Sequence, residues 1–332
     1  MSSTAAASQA RKGSRGSTFL LLFSKYGTIA SLLVFVGFFS LMRPQVFPTT
    51  LNFFNILNQV SILGIIALGL TIPLVQGLFD LSIGAMATLG GFLVTMVLAN
   101  QTVSSVFVAV GLILVLAVLI GAVNGVVVSY AGISAFIATL ATGSIMTGAV
   151  LGISNSQTVL SGIPPAFLQI GQGTLGPIPF PVLIMIAVAL VLWVFLTFTQ
   201  VGRNMYAIGG NAEAGRLSGI AVKRYPLLAL AISAGCAALA GMVVSANLGV
   251  GRPQGVGDTY LLDAFAAAFI GAATLHPGRF HIFGTIVGVL LIGVINNGLS
   301  ILGVETFWQY VVRGLLLLVA VFGAGLLATR RK

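Results

Sequence analysis

Between residues 201 and 225 the sequence reads VGRNMYAIGGNAEAGRLSGIAVKRY, and this polar interval decides how the rest is read. It carries the bases Arg203, Arg216, Lys223 and Arg224 and the acid Glu213. Elsewhere the 332 residues are apolar: 58% are hydrophobic, 6% are charged and the mean hydropathy is +1.12. A soluble domain cannot hide that much apolar surface behind so few charges, so the class is a polytopic membrane protein. A charged, helix-capable loop between two apolar halves is where such a protein could meet a soluble partner.

Working outward from this loop, apolar stretches recur at the length a bilayer demands, roughly 20 residues for a core of about 30 Å. None shows the alternating pattern of an outer-membrane barrel. Upstream lie spans over residues 23–42 and 56–78, a third that follows the turn GLFDLSIG (77–84) and ends near 99, and spans over 106–128, 133–152 and 180–198, with a long Pro/Gly/Ser/Gln loop before the last. Downstream lie spans over 226–248, 261–275, 280–302 and 307–328. The expected fold is all-α, a polytopic membrane helix bundle of about ten transmembrane helices. Residues 1–22 read as a basic cytoplasmic tail, and residues 23–332 as the transmembrane domain, with the polar loop at 199–225. No secretory cleavage pattern follows the tail, so the first span reads as uncleaved.

The net charge of +10 invites a nucleic-acid reading, but the bases sit at the ends of spans, as the positive-inside rule produces. With the N-terminus inside, Arg11, Lys12, Arg15, Lys25, Arg203, Arg216, Lys223, Arg224, Arg279, Arg330, Arg331 and Lys332 all fall on the cytoplasmic face. Only Arg43 and Arg252 fall outside, and Arg313 lies within the last span. This predicts an even number of spans and two cytoplasmic termini. No nucleic-acid partner is expected.

A weak internal repeat runs through the spans. NGVVVSYAGISAFI (124–137) echoes NGLSILGVETFW (297–308), and LFDLSIGAMATLGG (78–91) echoes LLDAFAAAFIGA (261–272). The copies lie five spans apart, an odd number, so the second is inverted, as in many transporters.

Polar residues inside the spans are few. Asp80 and Asp263 head the third and eighth spans, where each could cap orphan amides or act as a pin or gate beside a pathway. Asn124, Asn296 and Asn297 must face other helices or an aqueous path, because lipid exposure is costly. Arg313, one turn from Gln309, could snorkel or hydrogen-bond. The glycines from Gly84 to Gly91 suit close helix approach. Cys236 stands alone in an apolar span, which excludes disulfides and thiolate clusters. The sequence has no phosphate loop of the G-x-x-x-x-G-K-[ST] type, no H-E-x-x-H and no G-x-S-x-G. His276 and His281 by themselves do not make a metal site. No cofactor is expected.

In the polar loop, Glu213-Ala214-Gly215, three further residues and Gly219 fit the EAA-x-x-x-G motif, with glycine in place of the second alanine. Together with IGGNAEAGRLSGI (208–220), GLFDLSIGA (77–85), LLDAFAAAFIGAATLHPGRF (261–280) and residues 284–318, this resembles the permease subunits of ribose-type, simple-sugar ATP-binding-cassette importers. The likeness runs from about residue 50 to the end. It implies an ATPase subunit at the cytoplasmic face, an extracytoplasmic substrate-binding protein, a second permease copy as homo- or heterodimer, and location in the bacterial inner membrane. It also implies ATPase coupling through Arg203, Glu213, Ala214, Arg216 and Gly219, and no catalysis by the chain itself. A pathway or gate would draw on Asp80, Asn124, Phe136, Asp263, Asn296, Asn297 and Trp308. Phe136 and Trp308, at matching repeat positions, could stack on a sugar, seal a gate or anchor at the interface. Other small solutes, such as a branched-chain amino acid or a nucleoside, fit the same scaffold. A proton-coupled secondary transporter using Asp80 or Asp263 is the alternative from another class.

Overall fold

The computed structural model describes residues 26–276 and 278–329, with the backbone alone described for Arg313 and residues 319–329. The expected basic tail with Arg11, Lys12 and Arg15, the start of the first span, Lys25, and Arg330 to Lys332 lie outside the described residues. So does the side chain of Arg313.

The chain folds as helices α1 (Tyr26–Met42), α2 (Thr50–Val75), α3 (Ile83–Ala99), α4 (Val106–Tyr130), α5 (Ala135–Ser154), α6 (Pro165–Gln172), α7 (Phe180–Phe198), α8 (Gln200–Gly210), α9 (Ala212–Leu217), α10 (Tyr225–Leu248), α11 (Asp258–Ala272), α12 (Ile282–Ile301) and α13 (Thr306–Thr329). A two-residue hairpin, Thr174–Leu175 with Ile178–Pro179, precedes α7. Among the described residues, six helices are long and apolar enough to cross a membrane: α2, α4, α5, α7, α10 and α12. Helices α1 and α3 are shorter apolar helices.

Several helix starts follow directly from their residues. Thr49, Ser105, Ser134, Thr199 and Asn211 each place a side-chain oxygen on an orphan amide of the helix that follows. Helix α7 covers 180–198 as the apolar pattern predicts, whereas α2 begins six residues ahead of its apolar run. The interval before α7 is the clearest departure. The stretch read as loop contains α6 and the hairpin, and Asn247 Nδ2 donates to the Gly171 carbonyl (2.9 Å) while Gln172 Nε2 donates to the Asn247 carbonyl (3.1 Å). Pro165 at the first helical position was the available signal.

Helices α2 and α10 form the centre, packing on each other and on α3, α4, α7, α11 and α12. Apolarity does not predict depth. Helix α4 is the most apolar of the six spans, yet only 22% of an 18-residue apolar stretch of it is buried, against 83% for α2. Lipid tails are as apolar as leucine, so helices associate by close packing of small residues instead. Helix α10 supplies Gly241, whose backbone touches Ala87 of α3 so closely that a Cβ there would fall 1.8 Å from the Ala87 oxygen.

Two of the packed helices begin inside the bundle rather than at its ends. The end of α2 lies level with the start of α10, where Gln76 Nε2 donates to the Tyr225 carbonyl (3.3 Å). From there residues 77–82 run back in along α10, so that α3 starts beside its middle and meets Ala238 and Gly241. Helix α11 starts deep as well. Gly257, immediately before it, packs on Gly84 in the first turn of α3 and donates its N–H to Thr88 Oγ1 at 3.0 Å. A Cβ on Gly257 would lie 1.8 Å from the Gly84 oxygen.

That junction gives a stability test. Gly257→Ala is expected to cost about 1–3 kcal/mol through overpacking, read as a lower unfolding temperature in detergent. Gly111→Ala, inside α4 where a Cβ meets nothing within 4 Å, should not lower it.

Candidate functional site

The polar interval folds into α8, α9 and a 3-10 turn (Val222–Arg224), which form a platform at the end of the bundle where α2 stops and α10 starts. Helix α9 is built for a defined geometry. Asn211 Oδ1 accepts from the Ala214 N–H (3.0 Å) at its start. At its end Gly219, with φ +82°, donates to the Arg216 carbonyl, and Ile220 donates to the Gly215 carbonyl, both at 3.0 Å. This double closure needs a left-handed residue, which explains the glycine of the motif. Gly215, which replaces the motif's second alanine, is not sterically required, because a Cβ there would make ordinary contact with Ile220 (3.7 Å) and Ile208 (3.8 Å).

On α9, Arg216 donates to Glu213 through Nε (3.0 Å) and Nη2 (2.5 Å). The pair is 63% and 65% exposed, and exposed ion pairs add little to stability. The Arg216 hydrogen bond holds the Glu213 carboxyl below its ordinary range, so both charges stand on the surface at neutral pH. Arg203 is placed elsewhere, on α8, donating to Gln200 Oε1 (2.8 Å) and to the Phe198 carbonyl at the end of α7 (3.3 Å).

Helix α8 bolts the platform to the spans. Gly209 lies against the end of α2, where a Cβ would fall 1.9 Å from the Val75 oxygen. Asn204 Nδ2 donates to the Tyr225 hydroxyl at the start of α10 (2.5 Å). Tyr206 donates its hydroxyl to the Phe280 carbonyl between α11 and α12 (2.9 Å), and the Arg279 guanidinium lies 4.7 Å from the Tyr206 ring centre. Just beyond, His281 Nδ1 accepts from the Gly284 N–H (2.9 Å), capping α12. The interval is therefore attached to three parts of the bundle at once.

The acids expected at helix heads are placed differently. Asp80 does not cap α3; Ser82 holds that position. Asp80 is 1% exposed, and its Oδ1 accepts from the Ser82 N–H (3.0 Å) and hydroxyl (2.5 Å), closing a turn ahead of the helix. Asp263 is not at a helix head either, since α11 begins five residues earlier at Asp258. It is buried, and its Oδ2 accepts from Asn296 Nδ2 of α12 (3.0 Å). Both acids lie near the start of an apolar run, and an apolar run does not report where the first backbone hydrogen bond forms.

The other intramembrane amides join helices. Asn124 Oδ1 of α4 accepts from Thr142 of α5 (2.5 Å). Asn297 of α12 and Asn52 of α2 exchange amide hydrogen bonds in both directions, each 3.1 Å. Asn52 escaped sequence reading because it precedes the apolar run it belongs to. Phe136 and Trp308 are 53% and 54% exposed on the outside of the chain.

A bundle of this kind, with deep-starting helices and a polar platform at one end, defines a multi-pass membrane protein. Residues 52–321 match the family described as branched-chain amino acid transport system / permease component, and the chain belongs to that family. It is 33% identical over 304 residues to the ribose import permease protein of Haemophilus influenzae, covering 91% of this chain and 93% of that one. It is 38% identical to the D-allose transport system permease protein of Escherichia coli, over 91% of this chain and 92% of that one. Against the xylose transport system permease protein of Escherichia coli the identity is 32%, over 89% and 90%. No solved structure matches.

The Asn52–Asn297 pair yields a paired test. Asn297→Leu is expected to cost about 1–3 kcal/mol, because it strands a buried amide. Asn52→Leu/Asn297→Leu should recover part of that loss in the same thermal unfolding assay.

Proposed function

We propose that this chain is the membrane-spanning permease subunit of an ATP-driven importer, passing a monosaccharide or similar small polyol across the bacterial inner membrane without chemistry on it. The observation that carries this reading is relatives named as ribose, D-allose and xylose permeases, each matched over about nine-tenths of both chains. The family description also admits a branched-chain amino acid, and a nucleoside fits the same scaffold.

In this reading the platform faces the cytoplasm, both termini are cytoplasmic, and residues 23–332 form one permease domain crossing the membrane about ten times. The pattern of packing favours an inverted repeat. Helix α3 packs on α4, α5 and α10, and α11 packs on α12, α13 and α2, the partners expected if α2–α5 correspond to α10–α13. An ATP-binding-cassette subunit docks on α9 through Glu213, Ala214 and Arg216, with Gly219 fixing the end of that helix and Arg203 holding α8 to α7. A substrate-binding protein meets the opposite face, and a second permease copy covers exposed aromatics such as Phe136 and Trp308. Asp80, Asp263 and Asn296 flank the deep helix starts and so stand nearest a pathway, while Asn124 and Asn297 shape it by fixing its helices.

Reconstitution with the cognate ATPase and binding protein tests this directly. Wild type should show ATP-dependent sugar uptake and co-purify the ATPase. Glu213→Ala/Arg216→Ala should release the ATPase and lower uptake at least about tenfold while the permease stays folded, a coupling loss within the usual 1–3 kcal/mol. Uptake that continues without any ATPase and follows the proton gradient would overturn the importer reading in favour of a secondary transporter working through Asp80 or Asp263.

A further inference from the structure

Resting on that reading, we infer that Phe79 is a cytoplasmic gate residue, and that the Tyr206–Phe280 contact operates it from the platform. Phe79 sits in the 77–82 segment, the non-helical stretch that runs back into the bundle between α2 and α3. Its neighbour Asp80 is buried, while its own side chain is 40% exposed. Irregular backbone at membrane depth is tolerated only against protein or a water-lined cavity. In this proposal the open side of the ring borders the passage.

The covered side is held by aromatic contacts. Phe79 stacks on Phe265 (centroids 6.1 Å apart, 20° between planes) and on Phe269 (6.2 Å, 25°), both on α11. Phe269 in turn meets Phe280 edge to face at 5.2 Å. Phe280 is the residue whose carbonyl accepts the Tyr206 hydroxyl of α8. An unbroken chain of contacts thus joins the platform to the elbow preceding α3. On the other side, Leu81 N–H donates to Thr139 Oγ1 of α5 (2.9 Å), so the elbow pivots between α5 and α11. Aromatic pairs are worth about 0.5–1.5 kcal/mol beyond their burial. That is firm enough to carry a displacement and weak enough to break in each cycle. When the ATPase moves α8, the shift in Phe280 passes through Phe269 and unstacks Phe79, opening the cytoplasmic end.

Spatial continuity alone does not establish coupling, so the test is a mutant cycle. Proteoliposomes of the whole complex would report sugar taken up per ATP hydrolysed for wild type, Phe79→Ala, Phe79→Tyr, Tyr206→Phe and the double Phe79→Ala/Tyr206→Phe. Phe79→Ala and Tyr206→Phe should each lower that ratio about fivefold or more with ATPase co-purification unchanged. Phe79→Tyr, which keeps the ring, should restore it, and the double variant should be no worse than the poorer single one. A wild-type ratio in Phe79→Ala, effects that multiply in the double variant, or failure of Phe79→Tyr would each overturn the gate. If Phe79→Ala does not fold, Phe79→Leu takes its place, and an unchanged ratio in Tyr206→Phe is then decisive against the proposal. A wild type without ATP-dependent uptake would instead remove the importer reading, a separate failure.

Discussion

The contact between Gly84 and Gly257 is the constraint on which the architecture depends. Two helices begin inside the bundle, and their first turns bring orphan amides to a depth where water cannot satisfy them. The protein meets this demand locally: Thr88 Oγ1 takes the Gly257 N–H, Asp80 takes the Ser82 N–H, and Thr139 takes the Leu81 N–H. With these groups paired, the two backbones can touch, and the absence of a Cβ at Gly257 lets them. The same closeness recurs where Gly241 meets Ala87 and Gly288 meets Ala267. Small residues thereby draw α3, α10, α11 and α12 together, and Gly121 and Gly125 hold one face of the most apolar helix, α4, against α10 while the rest of it stays exposed.

The platform has the opposite character. Its outer helix presents a charged pair of little stabilising value, and its inner helix is fixed by contacts that tolerate almost no slack. Gly209 against Val75, Asn204 against Tyr225 and Tyr206 against Phe280 attach α8 to α2, to α10 and to the α11–α12 turn. A displacement applied at α9 would therefore reach α2, α10 and the α11–α12 turn together. Packed cores respond to such displacements as rigid bodies with discrete arrangements, not by gradual deformation. The arrangement suits a machine driven from outside its own chain.

Much of this was legible in the sequence, for identifiable reasons. The apolar run over 180–198 and the polar break after it fixed α7 and the platform, because the apolar run and the helix share their limits there. The pattern Asn211 to Gly219 announced α9, since its cap and its closing glycine are local devices. The deep starts of α3 and α11 were hidden because they depend on contacts between residues far apart in the chain, as Gly84 with Gly257. Asp80 and Asp263 were recognised as notable acids but assigned to helix heads, a position decided by backbone hydrogen bonding and not by the apolar pattern. Asn52, Tyr206 and Phe79 carried no sequence signal of their own, because their partners Asn297, Phe280 and Phe269 lie in distant segments.

The disposition of polar groups bears on where selectivity resides. Asn52 and Asn297 satisfy each other, Asn124 accepts from Thr142, and Thr71 and Thr285 share a hydrogen bond of 2.7 Å between α2 and α12. These side chains fix helix positions, and recruiting them for a solute would loosen the bundle that the solute must cross. A carrier that is driven by ATP also gains nothing from a deep binding well, since passage requires sites weak enough to leave. On the proposed importer reading, tight recognition falls to the extracytoplasmic partner. Timing is what an aromatic latch at the elbow before α3 would supply, because the ring can close an apolar passage without offering the solute a hydrogen bond to linger on.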